Sequence, residues 1–529
     1  MKTEKIPLII GVTGHRQIRQ EDRPVLLQRV CTELEKLKEL CPHTELAVMS
    51  CLAEGADQLC AEAAAQLSIP LIAALPMAQA VYEEDFSEDA LGRFRAGLKA
   101  AQKSFVVPPA EKEPAGADRD FAYRQAGIYV AEHSQLLLAL WDGEAGRSGC
   151  GTAETVSFAL QGAFCPAEGV SIKKNGFVLH IQTPRAGGDG AMQTGTVRFL
   201  GDEAAFREIL ARTDEWNELA EGLTGENKPL LPADRKAEPV LDRMERLYFQ
   251  ADELSLRFAR RYRRTLAALA VISTVITVAF LLYDEAELHA MILLCGLMFL
   301  AAWLTQHLAK KSASHRRYLE YRTLAEVLRV QSFLLYAGSR TQVSSILPWS
   351  VQMETGWVAA ALQALTVGAK PQAGGSIREC WVEDQRCYHE KALEKARHTR
   401  GGSDRIVRAA FTVSIVLYLA TLVFELFWGG LLPSSGLYAR AETVRAIVKL
   451  LLGSASAATL FMANYFGKLS LSRSVSDHEK MAQFYLAVRA WLDREGQTEA
   501  LLRSLAREEL IENANWCSYQ RDNGADFSL

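Results

Sequence analysis

The chain has 529 residues and a formal net charge of −4; at roughly 150 residues per domain it holds about three units. The slightly acidic balance, with a pI near 6.3, excludes the basic excess of a general nucleic-acid binder, so no nucleic-acid partner is expected. Ten cysteines, none in a CxxC pair, exclude a disulfide scaffold and a zinc site, and no metal is expected.

The first seven residues are polar and lead straight into a strand-like run, so no secretory signal is expected. Residues 8–12 are continuously apolar, the pattern of a strand buried on both faces. Residues 24–40 read as a helix with Leu26, Val30, Leu34 and Leu37 on one face. Strands follow at Leu46–Ser50, Leu71–Leu75, Leu136–Trp141 and 177–183, and helices at 56–67, 118–132 and 152–163. This alternation predicts an α/β domain over residues 1–185, with a doubly wound, mostly parallel, Rossmann-like sheet. Ligands in such sheets bind beyond the carboxyl ends of the strands.

Three strand ends carry chemistry. The first ends in Gly11-Val12-Thr13-Gly14-His15-Arg16, the second in Ser50-Cys51-Leu52-Ala53-Glu54-Gly55-Ala56-Asp57. The fourth ends in Asp142-Gly143, followed by Gly149-Cys150-Gly151-Thr152-Ala153-Glu154. Glycines there let a backbone approach a ligand closely. Gly55 and Gly151 stand just before helices, whose first amides attract phosphate. Arg16 suits a phosphate, and Asp57 a ribose or base. His15 either orients the loop or contacts phosphate, or else serves as an acid/base group. The ligand-binding set is therefore Thr13, Gly14, His15, Arg16, Ser50, Glu54, Gly55, Asp57, Asp142, Gly149, Gly151, Thr152 and Glu154. Each glycine, taken singly, equally suits a tight β-to-α turn. Asp118, Arg119, Asp120, Tyr123 and Arg124 form either a polar rim over the site or a solvated helix face.

Residues 186–239 read as a connector, helical over 204–219. Beyond it stand four proline-free apolar runs, at about 266–283, 288–305, 409–432 and 446–466. A bilayer core of about 30 Å needs roughly 20 helical residues, so each run is near the length of a span. Arg257, Arg260, Arg261, Arg263 and Arg264 precede the first, and Lys310, Lys311, Arg316 and Arg317 follow the second. Lys395, Arg397, Arg400, Arg405 and Arg408 precede the third, and Lys468 and Arg473 follow the fourth. The positive-inside rule then puts both termini in the cytoplasm of a multi-pass protein of the inner (plasma) membrane.

The membrane half reads as a repeat: one unit at 240–340, a linker at 341–375 with a flexible break at 368–375, and a second unit at 376–529. In each, an amphipathic helix leads into two spans and a long helix leads out, at 318–335 and 476–492. Leu241, Met244, Tyr248, Ala251, Leu254, Phe258 and Tyr262 form the first lead-in's packing stripe. Ser414, Thr421 and Glu425 share one face of the third span and are pore-lining candidates, although Glu425 equally suits the outer interface beside Trp428. The Gly453-Ser454-Ala455-Ser456-Ala457-Ala458 run suits close helix packing. Four spans are few for a pore, so a homo-oligomer in the lipid bilayer is expected.

Gly11–Arg16, Leu52-Ala53-Glu54-Gly55-Ala56-Asp57-Gln58-Leu59, Pro70-Leu71-Ile72-Ala73-Ala74-Leu75-Pro76 and Gly151-Thr152-Ala153-Glu154 together resemble the SLOG superfamily. These are Rossmann-like domains related to DNA-processing protein A and the lonely-guy enzymes. The rest resembles two copies of the SLATT two-helix membrane domain. The resemblance implies a nucleotide or nucleotide-derived messenger as ligand, no other cofactor, and a sensor–effector role in bacterial conflict systems such as antiviral defence. Its output would be an ion channel, a pore or a disrupted membrane. It also implies two alternatives, a membrane-anchored nucleotide N-glycosidase (phosphoribohydrolase) with Glu154 catalytic, and a membrane assembly scaffold. The enzymatic branch carries Pro-Gly-Gly-x-Gly-Thr-x-x-Glu; here Arg147-Ser148 replace the opening and Glu154 stands one residue nearer the threonine. That shift rotates a helical side chain by about 100°, so binding is expected rather than catalysis.

Overall fold

The computed structural model describes residues 4–108, 118–144, 151–161, 176–186, 193–223, 229–233, 235, 238–371, 374–426, 438–468 and 471–522. The chain divides into two compact units. The first is Met1–Gln250, Leu324–Gly375 and Leu502–Leu510; the second is Ala251–Thr323, Ser376–Leu501 and Ile511–Leu529.

The first unit is built on strands β1 (Leu8–Gly14), β2 (Leu46–Ser50), β3 (Leu71–Leu75), β4 (Lys103–Val106), β5 (Leu136–Trp141), β6 (Val178–Gln182) and β7 (Val197–Leu200). Their order is β4-β3-β2-β1-β5-β6-β7. Among the described strands, only β7 runs antiparallel to its neighbour. Ile10 sits opposite Val48 on one side and Leu136 on the other. The chain's direction across the sheet reverses between β1 and β5, which makes their carboxyl ends the switch point where such folds bind ligands.

Helices α1 (Arg23–Leu40), α2 (Ala56–Gln66), α3 (Gln79–Tyr82), α4 (Glu88–Ala100), α5 (Arg119–His133), α6 (Thr152–Gln161) and α7 (Glu203–Ala220) surround the sheet. Alternate residues of β1 point to opposite faces. Leu8, Ile10 and Val12 pack with Leu26, Val30, Leu34 and Leu37 of α1. Ile9 packs in the opposite core with Val130 of α5 and Val156 of α6.

Residues 341–375 are no mere linker. They form α11 (Val343–Ile346), α12 (Trp349–Glu354) and α13 (Gly356–Leu365). The last packs against β1 and α5, and Ala364 and Val367 enter the sheet's core. Gln135 clamps it: the side-chain amide donates to the Ala360 carbonyl at 2.9 Å and accepts from the Ile9 N–H at 2.8 Å. The start of the expected break at 368–375 is held as well. The Gly368 N–H donates to the Tyr129 hydroxyl at 2.8 Å, and Lys103 Nζ donates to the Val367 carbonyl at 2.7 Å. Gly368 has φ +59, and a Cβ there would lie 2.7 Å from the Phe105 ring. Close packing, not flexibility, accounts for this glycine.

The second unit is helical. Its long elements are α8 (Pro239–Glu285, which starts in the first unit), α9 (Met291–Ser312), α10 (Ser314–Tyr336, which ends in the first unit), α14 (Asp384–Phe424), α15 (Tyr438–Lys468), α16 (Leu471–Glu495) and α17 (Glu499–Asp522). A π-helical stretch, Arg378–Glu383, precedes α14. Among the described residues, four helical stretches are long and apolar enough to cross a membrane, as a membrane protein requires. Their most apolar windows are 11%, 6%, 0% and 0% buried. Leu293, Phe299, Trp303, Phe411 and Leu460 therefore face outward, an arrangement suited to lipid and unfavourable in water. The lead-in stripe differs at one position. Leu241, Met244, Leu247, Ala251, Leu254, Phe258 and Tyr262 are buried, and Leu247 replaces Tyr248. A Cβ on Gly453 of α15 would lie 2.7 Å from Leu281 of α8, so this small residue does serve close helix packing.

Candidate nucleotide site at the carboxyl edge of the sheet

The β1 and β5 ends meet through His15 and Asp142, both buried. The Asp142 N–H donates to His15 Nε2 at 3.0 Å, so that nitrogen presents a lone pair and the ring is neutral. Burial holds the imidazole below its ordinary range, the Asp142 carboxylate pulls it back up, and Arg185 opposes protonation again. The carboxylate lies 3.2 Å from Nε2 and 2.9 Å from Arg185 Nε. Gln182 donates to the Asp142 carbonyl at 2.8 Å. The switch point is thus a polar chain of His15, Asp142 and Arg185. Arg185 and Gln182 follow from no motif; their signal is a position beyond and at the end of β6.

Gly14 and Gly55 are needed for a reason other than an open cradle. A Cβ on Gly14 would meet the Ala56 side chain at 2.3 Å and the Leu140 carbonyl at 2.7 Å. Gly55 has φ +86, and its Cβ would lie 2.3 Å from the Arg16 carbonyl oxygen and 2.4 Å from that of His15. The Ala56 N–H donates to the His15 carbonyl at 3.0 Å. The start of α2 is therefore docked on the loop after β1, which takes its first amide. Gly151 caps α6, its carbonyl accepting from Glu154 and Thr155 at 3.1 Å each, so Thr152 is the first helical residue.

Asp57 also turns inward. Its carboxylate accepts from the Ser50 hydroxyl at 2.9 Å and the Cys51 N–H at 3.1 Å. Burial pushes its pKa up to about 6, while these hydrogen bonds favour the charge. Asp57 and Ser50 thus shape the loop after β2. Glu54 is half-buried and accepts from Ser87 at 3.0 Å. Thr13 closes β1 opposite Ala139.

Arg16 reaches the other way, over the Tyr123 ring at 4.7 Å. The Tyr123 hydroxyl donates to Asp85, which also pairs with Arg119. Beside them Tyr82 is buried, 6.1 Å from Tyr123 ring to ring, and its hydroxyl has no partner among the described residues. Burial pushes the pKa of that hydroxyl well up. Arg124 Nε donates to Glu154 Oε1 at 3.0 Å, and the buried Glu154 Oε2 has no partner among the described residues. Arg119, Tyr123 and Arg124 thus each pair with a neighbouring side chain, whereas Asp118 caps α5 through the Phe121 N–H at 3.0 Å. Gly149 and the substituted Arg147-Ser148 opening lie outside the described residues.

The pore candidates find near partners. Ser414 and Thr421 donate to carbonyls one turn back, Ala410 at 3.1 Å and Leu417 at 2.7 Å. Ser414 also lies 3.4 Å from Thr459 of α15. Glu425 takes both ends of the Arg445 guanidinium, at 2.6 and 2.8 Å. This pairing fits the outer-interface alternative and gives Glu425 a structural partner on α15.

No family model matches the chain, and no curated protein matches it.

Proposed function

We propose that the chain is a nucleotide-gated membrane effector. A nucleotide, or a messenger derived from one, binds the carboxyl edge of the sheet. Several copies then assemble their apolar helices in the inner membrane, termini in the cytoplasm, and conduct ions or break the bilayer. The observation that carries this is a single one: a doubly wound sheet whose buried Tyr82 Oη and Glu154 Oε2 have no partner among the described residues shares its chain with helical stretches long and apolar enough to cross a membrane. The resemblance to SLOG and SLATT domains points the same way, to an effector of a conflict system.

The test is calorimetry of the full chain in detergent against AMP, cyclic AMP and ADP-ribose. At least one is expected to bind at micromolar strength, and Arg16→Ala to weaken it tenfold or more. Silence towards all three would remove the sensor half of the proposal.

The partnerless Glu154 oxygen also suits a second reading, a nucleotide N-glycosidase. Its ion pair with Arg124 favours a fixed carboxylate that binds rather than one that shuttles protons. No release of free base is expected from any of the three. Release that Glu154→Gln abolishes would establish the enzyme instead.

A further inference from the structure

In the second unit, α14 and α16 lie side by side, and each brings a histidine to the contact. The Nδ1 atoms of His389 and His478 are 3.0 Å apart. His389 is 6% exposed. Tyr485 stacks on it with ring centres 5.7 Å apart, and Tyr388 meets the two imidazoles edge-on at 5.2 and 6.2 Å. Both histidines lie outside the apolar runs at 409–432 and 446–466. Among the described residues no third His, Cys, Asp or Glu completes a metal set with them.

A hydrogen bond between two imidazole nitrogens needs a hydrogen on one and a lone pair on the other. Two neutral rings satisfy that, and so does a pair holding one extra proton. Two extra protons do not, because two N–H donors and two like charges then face each other at contact distance. The surrounding charges do little to offset this. Asp477 favours protonation of His478 but is held by Arg473 at 3.1 Å. Arg322 of α10 opposes it. Glu479 is tied to Arg397 at 2.8 Å. Burial is the largest influence on His478 and keeps it below the ordinary histidine range.

We propose that the His389–His478 contact is an acid-sensitive latch between the lead-in and exit helices of the second hairpin. It is closed while the pair carries at most one proton and released by the second. The closed form disfavours the second proton. Its advantage is therefore complete above the ordinary histidine pKa of about 6.5 and fades as pH falls below it. The latch stands whether or not the first unit binds a nucleotide.

Hydrogen exchange on the full chain in lipid nanodiscs at pH 7.5 and 5.5, corrected for intrinsic rates, reads it. Peptides spanning 384–400 and 471–490 are expected to lose protection at least tenfold at pH 5.5, while α13 does not. His478→Gln keeps a neutral hydrogen-bonding side chain and is expected to flatten that dependence; His389→Gln is the independent second variant. Equal protection at the two pH values in the unmodified chain would overturn the latch. So would a pH-dependent loss that survives in both variants.

Discussion

Gly55 shows how much of the candidate site is held by what a residue lacks. Any side chain there drives a carbon into the His15 and Arg16 carbonyls while holding a left-handed backbone. Gly55→Ala is expected to destabilise the first unit by roughly 3 kcal/mol, seen as a lower melting temperature in detergent. Gly92, exposed on α4 with nothing within 4 Å of an added Cβ, is the opposite case. Gly92→Ala is expected to stabilise by about 0.5–1 kcal/mol. Asp57 carries a pH signature. Its folded pKa, about 6, lies above the ordinary aspartate value of 3.8. Its contribution to stability is therefore complete below the unfolded pKa and lost as pH rises through about 6. Between pH 4 and 7.5 the chain is expected to lose up to about 3 kcal/mol relative to Asp57→Asn. Parallel melting profiles would contradict a buried, charge-averse Asp57. The sequence marks Gly14, Gly55 and Asp57 by their place at strand ends. It does not reveal that they brace the loops, because their partners, Ala56, the carbonyls of His15 and Arg16, and Ser50, meet only after the chain has folded.

At the scale of elements, α5 reaches the strap formed by α13. Its first turns carry Tyr123 and Arg124, and its end carries Tyr129, which accepts from Gly368. Strands β1, β2, β3 and β5 and helices α1, α2, α5 and α6 are legible as local apolar runs and stripes, whereas α3 and α4 after β3 are not read. Strand β4 escapes, since Lys103-Ser104-Phe105-Val106 buries only Phe105; it is an edge whose pattern is too short to read. The strap escapes for another reason. Trp357-Val358-Ala359-Ala360-Ala361-Leu362 is plainly apolar, but the sheet that covers it lies far back in the chain. Gln135→Ala would leave the Ile9 amide and the Ala360 carbonyl without their buried partner, at about 2 kcal/mol. Residues 1–185 made alone lack both the strap and α7. They are expected to bind a hydrophobic dye and to melt without a sharp transition; cooperative unfolding of that fragment would show the strap to be dispensable.

At the scale of the whole molecule, the membrane half was the more legible part. Span length, basic flanks and the absence of proline are local properties that no tertiary contact overrides. Partners within it were not legible. Glu425 meets Arg445 across the end of the second hairpin, and Glu285 meets Lys449 at 3.4 Å. These pairs depend on how helices dock rather than on periodicity. If the Glu425 pair is structural, Glu425→Arg with Arg445→Glu together should restore the stability that either change alone removes. The most direct measurement of gating is ion flux from liposomes holding the full chain, with AMP, cyclic AMP or ADP-ribose supplied to the face bearing the first unit. Flux is expected only with the nucleotide that binds in calorimetry, and Arg16→Ala is expected to shift the required concentration tenfold or more. Flux that proceeds equally with no nucleotide, or none at saturating amounts of a nucleotide that binds, would contradict a ligand-gated effector.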